Sequence, residues 1–310
     1  MITDLLGASS IQPDVSFEFF PPNTEIGVAN LTRSAEELAT LNPKFVSVTY
    51  GAGGTSRDRT QLAVSHLTAT TNLAVAGHLT CVGATRAEVA AVIDDYLAVG
   101  VRHIVALRGD PPEGTESIVP GGYQDAVELV AGIRSHVEAA GIKNFQISVG
   151  AYPEVHPKAS SPRSDLDNLK AKLDAGADRA LTQFFFDSDV FLDFVDRARV
   201  AGIEAPLVPG IMPINNFAGI NRFASRAGAS VPRWMHDLFD GLDDNPEVRN
   251  LVSAQVTAEQ CRRLVAGGVS EFHFYTMNRS ELSLATCRAL GIRPNEAVAP
   301  GPPPIGTSHD

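Results

Sequence analysis

Positive charge is scarce in this chain relative to negative. Across 310 residues, 25 lysines and arginines face 36 aspartates and glutamates, for a formal net charge of −11. The cations form no cluster, which argues against nucleic acid or an anionic membrane as the partner. Cysteine is also sparse: Cys81, Cys261 and Cys287 lie far apart with no metal-ligand spacing. That excludes a disulfide framework and points to reduced core thiols in a cytoplasmic protein. No apolar run approaches the roughly 20 residues that cross a bilayer, and the N-terminus lacks a secretory signal. What is present is a hydrophobic content of 44%, enough for a sizeable core.

Short β-rich runs alternate with longer stretches of helical periodicity, the pattern of a parallel sheet covered by helices. Strands are predicted at 15–20, 44–50, 74–82, 103–109, 146–152, 179–186, 206–212 and 271–277. Eight βα units in one chain of this length predict a single-domain (β/α)8 TIM barrel over 1–292. Gly100, Gly141, Gly176, Gly202 and Gly268 each stand just before a strand, where a helix C-terminus favours glycine. The stretch 229–256 is too long for a simple connection and carries helical patterns at Arg233–Leu242 and Pro246–Leu251, so it reads as an insertion. From 293 to 310 the chain is a Pro/Gly-rich tail without periodicity.

One acid stands out. In Phe17-Glu18-Phe19-Phe20-Pro21-Pro22, a carboxylate sits inside an aromatic strand that two prolines end. Strand alternation puts Ser16, Glu18 and Phe20 on one face and Phe17 and Phe19 on the other. If the first face lines an apolar pocket, desolvation raises the glutamate and keeps it protonated near neutral pH, as a general acid. The alternative is a buried glutamate satisfied by a backbone partner or an arginine.

In such barrels the strand C-terminal ends build the active site. Here they carry Glu18, Thr49 with Tyr50, His78 with Thr80, Arg108 with Asp110, Tyr152 with Glu154 and His156, Gln183 with Asp187, and Tyr275 with Asn278 and Arg279. A Schiff-base mechanism needs a lysine at a strand end, but Lys44, Lys143, Lys158, Lys170 and Lys172 fall at strand starts, in a loop and on a helix. His78, His156, His273 and Asp110 show no metal-binding spacing, and no metal is expected. Gly51-Ala52-Gly53-Gly54 departs from a dinucleotide fingerprint at Ser56 and reads as a tight turn. Arg108-Gly109-Asp110 joins a guanidinium, an open backbone amide and a carboxylate, a set that suits a polar planar ring or a simple ion pair around a turn. Asp165, Asn168, Leu169 and Lys172 share one helical face, by default solvated, although its place after Tyr152 and His156 would let Lys172 meet a phosphate or ribose.

Together the segments FEFFPP (17–22), VSVTYG (46–51) with RDRT (57–60), GHLTC (77–81), ALRGDP (106–111), AYPEVHP (151–157), DAGADRALTQFFFD (174–187), PGIMPINN (209–216) and FHFYTMNR (272–279) resemble the bacterial-type methylenetetrahydrofolate reductases. That resemblance implies a flavin-containing (β/α)8 barrel, in which NADH or NADPH reduces FAD and the flavin reduces 5,10-methylenetetrahydrofolate to 5-methyltetrahydrofolate. It implies FAD contacts for Thr49, His78, Arg108, Gly109, Asp110, Tyr152, His156, Asp165, Asn168 and Lys172. Glu18 would be the general acid, and Asp110 would tune the flavin and the folate cation. Gln183 and Arg279 would hold the folate, with Phe223 stacked on nicotinamide or folate. A homo-oligomer without a regulatory second domain is expected. Residues 113–123 are the least family-like part of the barrel, and no residue marks a preference for NADH or NADPH. Two other readings stay open at this point: a flavin-free folate-binding or folate-reducing barrel, and a metal-dependent barrel hydrolase.

Overall fold

The computed structural model describes residues 12–50, 57–110 and 119–294. The Gly51–Gly54 turn, Pro111 with Pro112, residues 113–118 and the tail beyond Pro294 lie outside the described residues. In chain order the elements are β1 Asp14–Phe19, α1 Glu25–Ala39, β2 Val46–Val48, α2 Arg57–Thr70, β3 Val75–Thr80, α3 Arg86–Ala98, β4 His103–Leu107 and α4 Ala126–Ala139. They continue as β5 Gln146–Ala151, α5 Pro162–Asp174, β6 Arg179–Phe184, α6 Ser188–Val200, β7 Leu207–Ile211, α7 Phe217–Ala227, α8 Arg233–Phe239, α9 Pro246–Ala266, β8 Glu271–Tyr275 and α10 Glu281–Ala289. All eight predicted strands are present, and they close in sequence order into a parallel barrel. This is a single-domain (β/α)8 TIM barrel.

Local chemistry sets the helix ends. Thr85 and Glu88 form a reciprocal capping box at α3, and Ser161 caps α5 ahead of a proline at its first position. All five glycines expected at helix ends adopt positive φ, reaching 116° at Gly176, a backbone angle that side chains other than glycine rarely tolerate.

The strand alternation is clearest in β1. Phe17 and Phe19 are fully buried in the main core between barrel and helices, while Ser16 and Glu18 point into the barrel. The barrel interior is filled by Phe45, Ala76, Val105, Leu181 and Val208. A second apolar cluster, with Phe184, Phe186, Met212, Met235 and Phe239, covers the seventh unit. Here the structure departs from the predicted insertion. The first predicted helix ends at Phe239, a 3-10 turn spans Leu242–Asp244, and the pattern at Pro246–Leu251 is only the start of the 21-residue α9. Asn245 and Pro246 begin a helix but carry no stop signal, and the next one, Gly267, lies beyond the insertion.

Candidate active site

The C-terminal strand ends open onto two adjoining clefts of about 550 and 510 Å³, which share Leu107, Gly150 and Tyr152. The first cleft has Glu18 at its floor and His78, Tyr152, Gln183, Phe223 and Tyr275 around it. The second runs along α5 and holds Arg108, Gly109, Asp110, His156, Asn168 and Lys172.

Glu18 is only 9% exposed, and it faces two imidazoles. Its Oε2 lies 3.2 Å from His78 Nε2 and 3.4 Å from His273 Nε2. The His273 contact is a hydrogen bond, whereas His78 Nε2 is close without hydrogen-bonding alignment. On its other side, His273 Nδ1 meets Ser16 Oγ at 2.8 Å, and Ser16 Oγ lies 3.2 Å from the Phe272 carbonyl. Burial pushes Glu18 up, but the His78 charge and the contacts from both imidazoles outweigh it and hold the carboxyl at about 2. The expected desolvated, protonated acid is therefore corrected: in the free protein Glu18 is ionised. The backbone around it is clasped by the turn that follows the last strand. Thr276 donates from N and Oγ1 to the Glu18 carbonyl, and the Asn278 side chain both accepts from Phe20 N–H and donates to its carbonyl.

His78 is itself anchored from behind. The Tyr96 hydroxyl of α3 donates to the His78 carbonyl at 3.0 Å, and its ring packs against Gly77, where a Cβ would come within 2.4 Å of it. In the second cleft Asp110 pairs with Lys158 at 2.6 Å, and that contact holds its carboxyl below the usual range. Arg108 does not pair with Asp110; its Nε donates to the Gly109 carbonyl. Lys172 donates to the Gly150 carbonyl at 2.6 Å, and burial pushes its ammonium down to about 8.

A sequence model of the family described as methylenetetrahydrofolate reductase matches residues 6–291. The chain belongs to that family. It is 48% identical over 283 residues to the 5,10-methylenetetrahydrofolate reductase of Escherichia coli K12, covering 91% of this chain and 92% of that protein. Against the 5,10-methylenetetrahydrofolate reductase of Pectobacterium carotovorum it is 47% identical over 286 residues, 92% of each. Among solved structures, an uncharacterized protein from Clostridium thermocellum that binds two copies of 5-methyl-5,6,7,8-tetrahydrofolic acid superposes with a TM-score of 0.58. At 14% identity, over 93% of this chain and 97% of that one, it shares the fold.

Against this family background, the structure distributes the predicted site residues over three cavities. Glu18, Thr49, His78, Tyr152, Gln183 and Phe223 meet in the first cleft. Arg108, Gly109, Asp110, His156, Asn168 and Lys172 line the second, where Asp165 accepts from His156 N–H. Arg279 stands apart, in a neighbouring cavity beyond Thr276. On the α5 face Leu169 is buried and Asp165 and Lys172 are partly buried, while Asn168 stays exposed. Phe223 is 44% exposed and stacks on Phe184 at 5.4 Å, and Asp187 serves as the N-cap of α6. Sequence reasoning gave no role to Ser16, Lys158 or Tyr96 and treated His273 only as a possible metal ligand. For His273 a signal existed: Phe272-His273-Phe274 repeats the aromatic-polar-aromatic alternation of Phe17-Glu18-Phe19, and both polar members face inward.

Proposed function

We propose that this chain reduces 5,10-methylenetetrahydrofolate to 5-methyltetrahydrofolate in the cytoplasm, with FAD as hydride carrier and NADH or NADPH as donor. The observation that carries the reading is the buried Glu18 carboxylate, set against two imidazoles at the floor of a cleft walled by Tyr152, Gln183 and Phe223.

The residues present fit a flavin dinucleotide. Among the described residues, Thr49 Oγ1 and His78 Nε2 are buried without hydrogen-bond partners, as expected where a polar ligand supplies them. The two adjoining clefts offer an elongated site of the size that small ligands occupy. Lys172 and Arg108 bring positive charge to the second cleft, and Asp165, Asn168 and Asp110 bring polar groups suited to ribose hydroxyls and ring nitrogens. Thr49, His78, Arg108, Gly109, Asp110, Tyr152, His156, Asp165, Asn168 and Lys172 would hold the cofactor. When bound, FAD supplies a two-electron carrier between nicotinamide and folate.

The protein's own part is proton and charge management. The methylene bridge of the substrate accepts hydride only as an iminium, and opening it requires a proton on the leaving nitrogen. Glu18 is the group placed to deliver that proton. Its carboxyl is ionised in the free protein because the charges and contacts of His78 and His273 together outweigh desolvation. A polar ligand that takes up His78 Nε2 weakens that attraction, and an apolar ring covering the cleft strengthens the desolvation. Both changes raise Glu18 toward the protonated form. The buried Ser16 bonds His273 Nδ1 and so fixes the imidazole whose Nε2 meets Glu18. Asp110, kept ionised by Lys158, places a negative charge to stabilise the iminium. Gln183 accepts from Phe184 N–H through Oε1, which leaves its amide N–H groups to donate to the pterin.

Anaerobic stopped-flow on the purified protein tests the assignment in two halves. Bleaching of the flavin band by NADH or NADPH, followed by its return on addition of 5,10-methylenetetrahydrofolate, is the expected result. A colourless protein that gains no activity with added FAD removes the flavin from the reading, and failure of the folate step alone removes the acceptor.

A further inference from the structure

Phe223 reaches the first cleft from α7, and α7 is held at both ends by side chains from other parts of the chain. At its start, the Asp243 carboxylate accepts from the Phe217 and Ala218 N–H groups, each at 3.0 Å, and Arg249 Nη1 lies 3.5 Å from the same carboxylate. Beyond its end, Glu154 Oε1 accepts from the Ser230 N–H at 2.8 Å. The two anchors differ in origin. Asp243 belongs to the turn before α9, whereas Glu154 comes from the loop after β5, which also carries the cleft residues Tyr152 and His156. Phe223 stands between the anchors, one helical turn before Ala227, the last residue of α7.

The link on the Glu154 side is packed as well as hydrogen-bonded. Gly228 ends α7 with a φ of 74°, and a Cβ there would come within 2.6 Å of Pro157 Cγ, so a side chain would push the helix end off that loop. Within the loop, Val155 takes a φ of 137°, a backbone angle that a β-branched residue avoids unless its surroundings impose it. Its neighbours supply that constraint. Arg197 of α6 donates to the Pro153 carbonyl at 3.1 Å, Asp165 accepts from His156 N–H at 2.8 Å, and Glu154 holds Ser230. A loop kept in a costly conformation by bonds on both sides of Val155 acts as a fixed strut, and α7 rests on it. The Phe223 ring stacks by one face on Phe184, and the rest of it is exposed at the cleft.

We infer that Glu154 is a positioning residue for Phe223: by holding the Ser230 amide, it sets α7 at the height where the Phe223 ring covers a planar ring bound in the first cleft. The inference rests on the folate reading above, in which a pterin is reduced in that cleft. Contact of an aromatic face with a bound ring is made equally before and during reaction, so its loss raises KM and leaves kcat nearly unchanged. Asp243 does not replace the strut, since it fixes only the first turn of α7.

The test combines hydrogen exchange with steady-state kinetics on the holoenzyme, for wild type, Glu154→Ala, Glu154→Gln, Phe223→Ala and the double variant Glu154→Ala with Phe223→Ala. Glu154→Ala should speed exchange at Ser230 and along the last turn of α7. It should also raise the KM for 5,10-methylenetetrahydrofolate by about three- to tenfold, the worth of one aromatic stack, while kcat changes by less than about twofold. Glu154→Gln keeps an acceptor for the Ser230 N–H and should bring KM back to within about twofold of wild type. On the Phe223→Ala background, Glu154→Ala should add nothing to KM, because it acts only through that ring. Additive losses in the double variant would overturn the inference, leaving Glu154 a structural support and the folate reading intact. An unchanged KM in Glu154→Ala would overturn it too, as would a raised KM that excess FAD restores, since the effect would then run through the cofactor. Absence of folate turnover by wild type would sink the folate reading, and the inference with it.

Discussion

Replacing Glu18 by glutamine keeps the shape of the side chain, removes its charge and leaves it unable to act as an acid. Two separate consequences follow from its setting, and they have different sizes. For catalysis, loss of a positioned general acid slows the step that uses it by about 10²- to 10⁴-fold. The folate half-reaction should fall by that factor, while reduction of the flavin by nicotinamide, which needs no proton from Glu18, should change by less than about threefold. For stability, the two imidazoles hold Glu18 at about 2 against the ordinary 4.5. A depressed carboxyl contributes stability above its unfolded value and loses it as pH falls through the folded one. A separation of that size corresponds to about 3 kcal/mol, lost by wild type between pH 4.5 and about 2. Glu18→Gln should lack that part of the acid sensitivity. Anaerobic stopped-flow of the two half-reactions reads the first consequence, and urea unfolding across the acid range reads the second. Equal losses in both half-reactions would refute the catalytic assignment and make Glu18 a structural residue. An unchanged acid transition in Glu18→Gln would refute the electrostatic account of its ionisation.

Three further outcomes are expected. In His273→Asn, Glu18 loses one of its two imidazole partners and its pKa rises, so the alkaline fall-off of the folate half-reaction should move to higher pH in a pH–rate profile. In Gly77→Ala, the new Cβ would meet the Tyr96 ring at 2.4 Å, deep in the core; a loss of about 1–3 kcal/mol should appear in thermal or urea unfolding, together with weaker flavin binding through displacement of His78. Lys172 loses its proton as pH rises through about 8, so flavin affinity measured by fluorescence titration should weaken across that range, and Lys172→Met should remove the pH dependence.

The architecture was legible because each βα unit repeats the same local signals. Gly176 before β6 and the capping box of Thr85 and Glu88 are readable from short windows, and strand alternation was enough to put Ser16 and Glu18 inside and Phe17 and Phe19 outside. Identifying Glu18 as unusual needed only its neighbours in sequence. Its protonation was misjudged, because that depends on His78 and His273, which come from β3 and β8 and approach only once the barrel closes. Lys158 illustrates the same limit. As a loop lysine it carried no signal, yet it sets the charge state of Asp110, 48 residues earlier in the chain. Helix α9 failed in the other direction, since an N-terminal signal at Asn245 and Pro246 says where a helix begins and nothing about how far it runs.

The clasp between the first and last strands has a bearing on how the protein matures. Glu18 is made early, but the groups that fix its backbone, Thr276 and Asn278, and one of the imidazoles that charge it, His273, lie 255 to 258 positions later. Contacts of such long sequence separation form late, after the loop-closure entropy of the whole chain has been overcome. A growing chain on the ribosome therefore carries its acid through most of synthesis without a site around it, and acquires a competent centre only when the eighth strand docks beside the first. Activity in this fold reports barrel closure. A circular permutant that joins residues 271–279 directly ahead of β1 would turn that slow, long-range event into a local one.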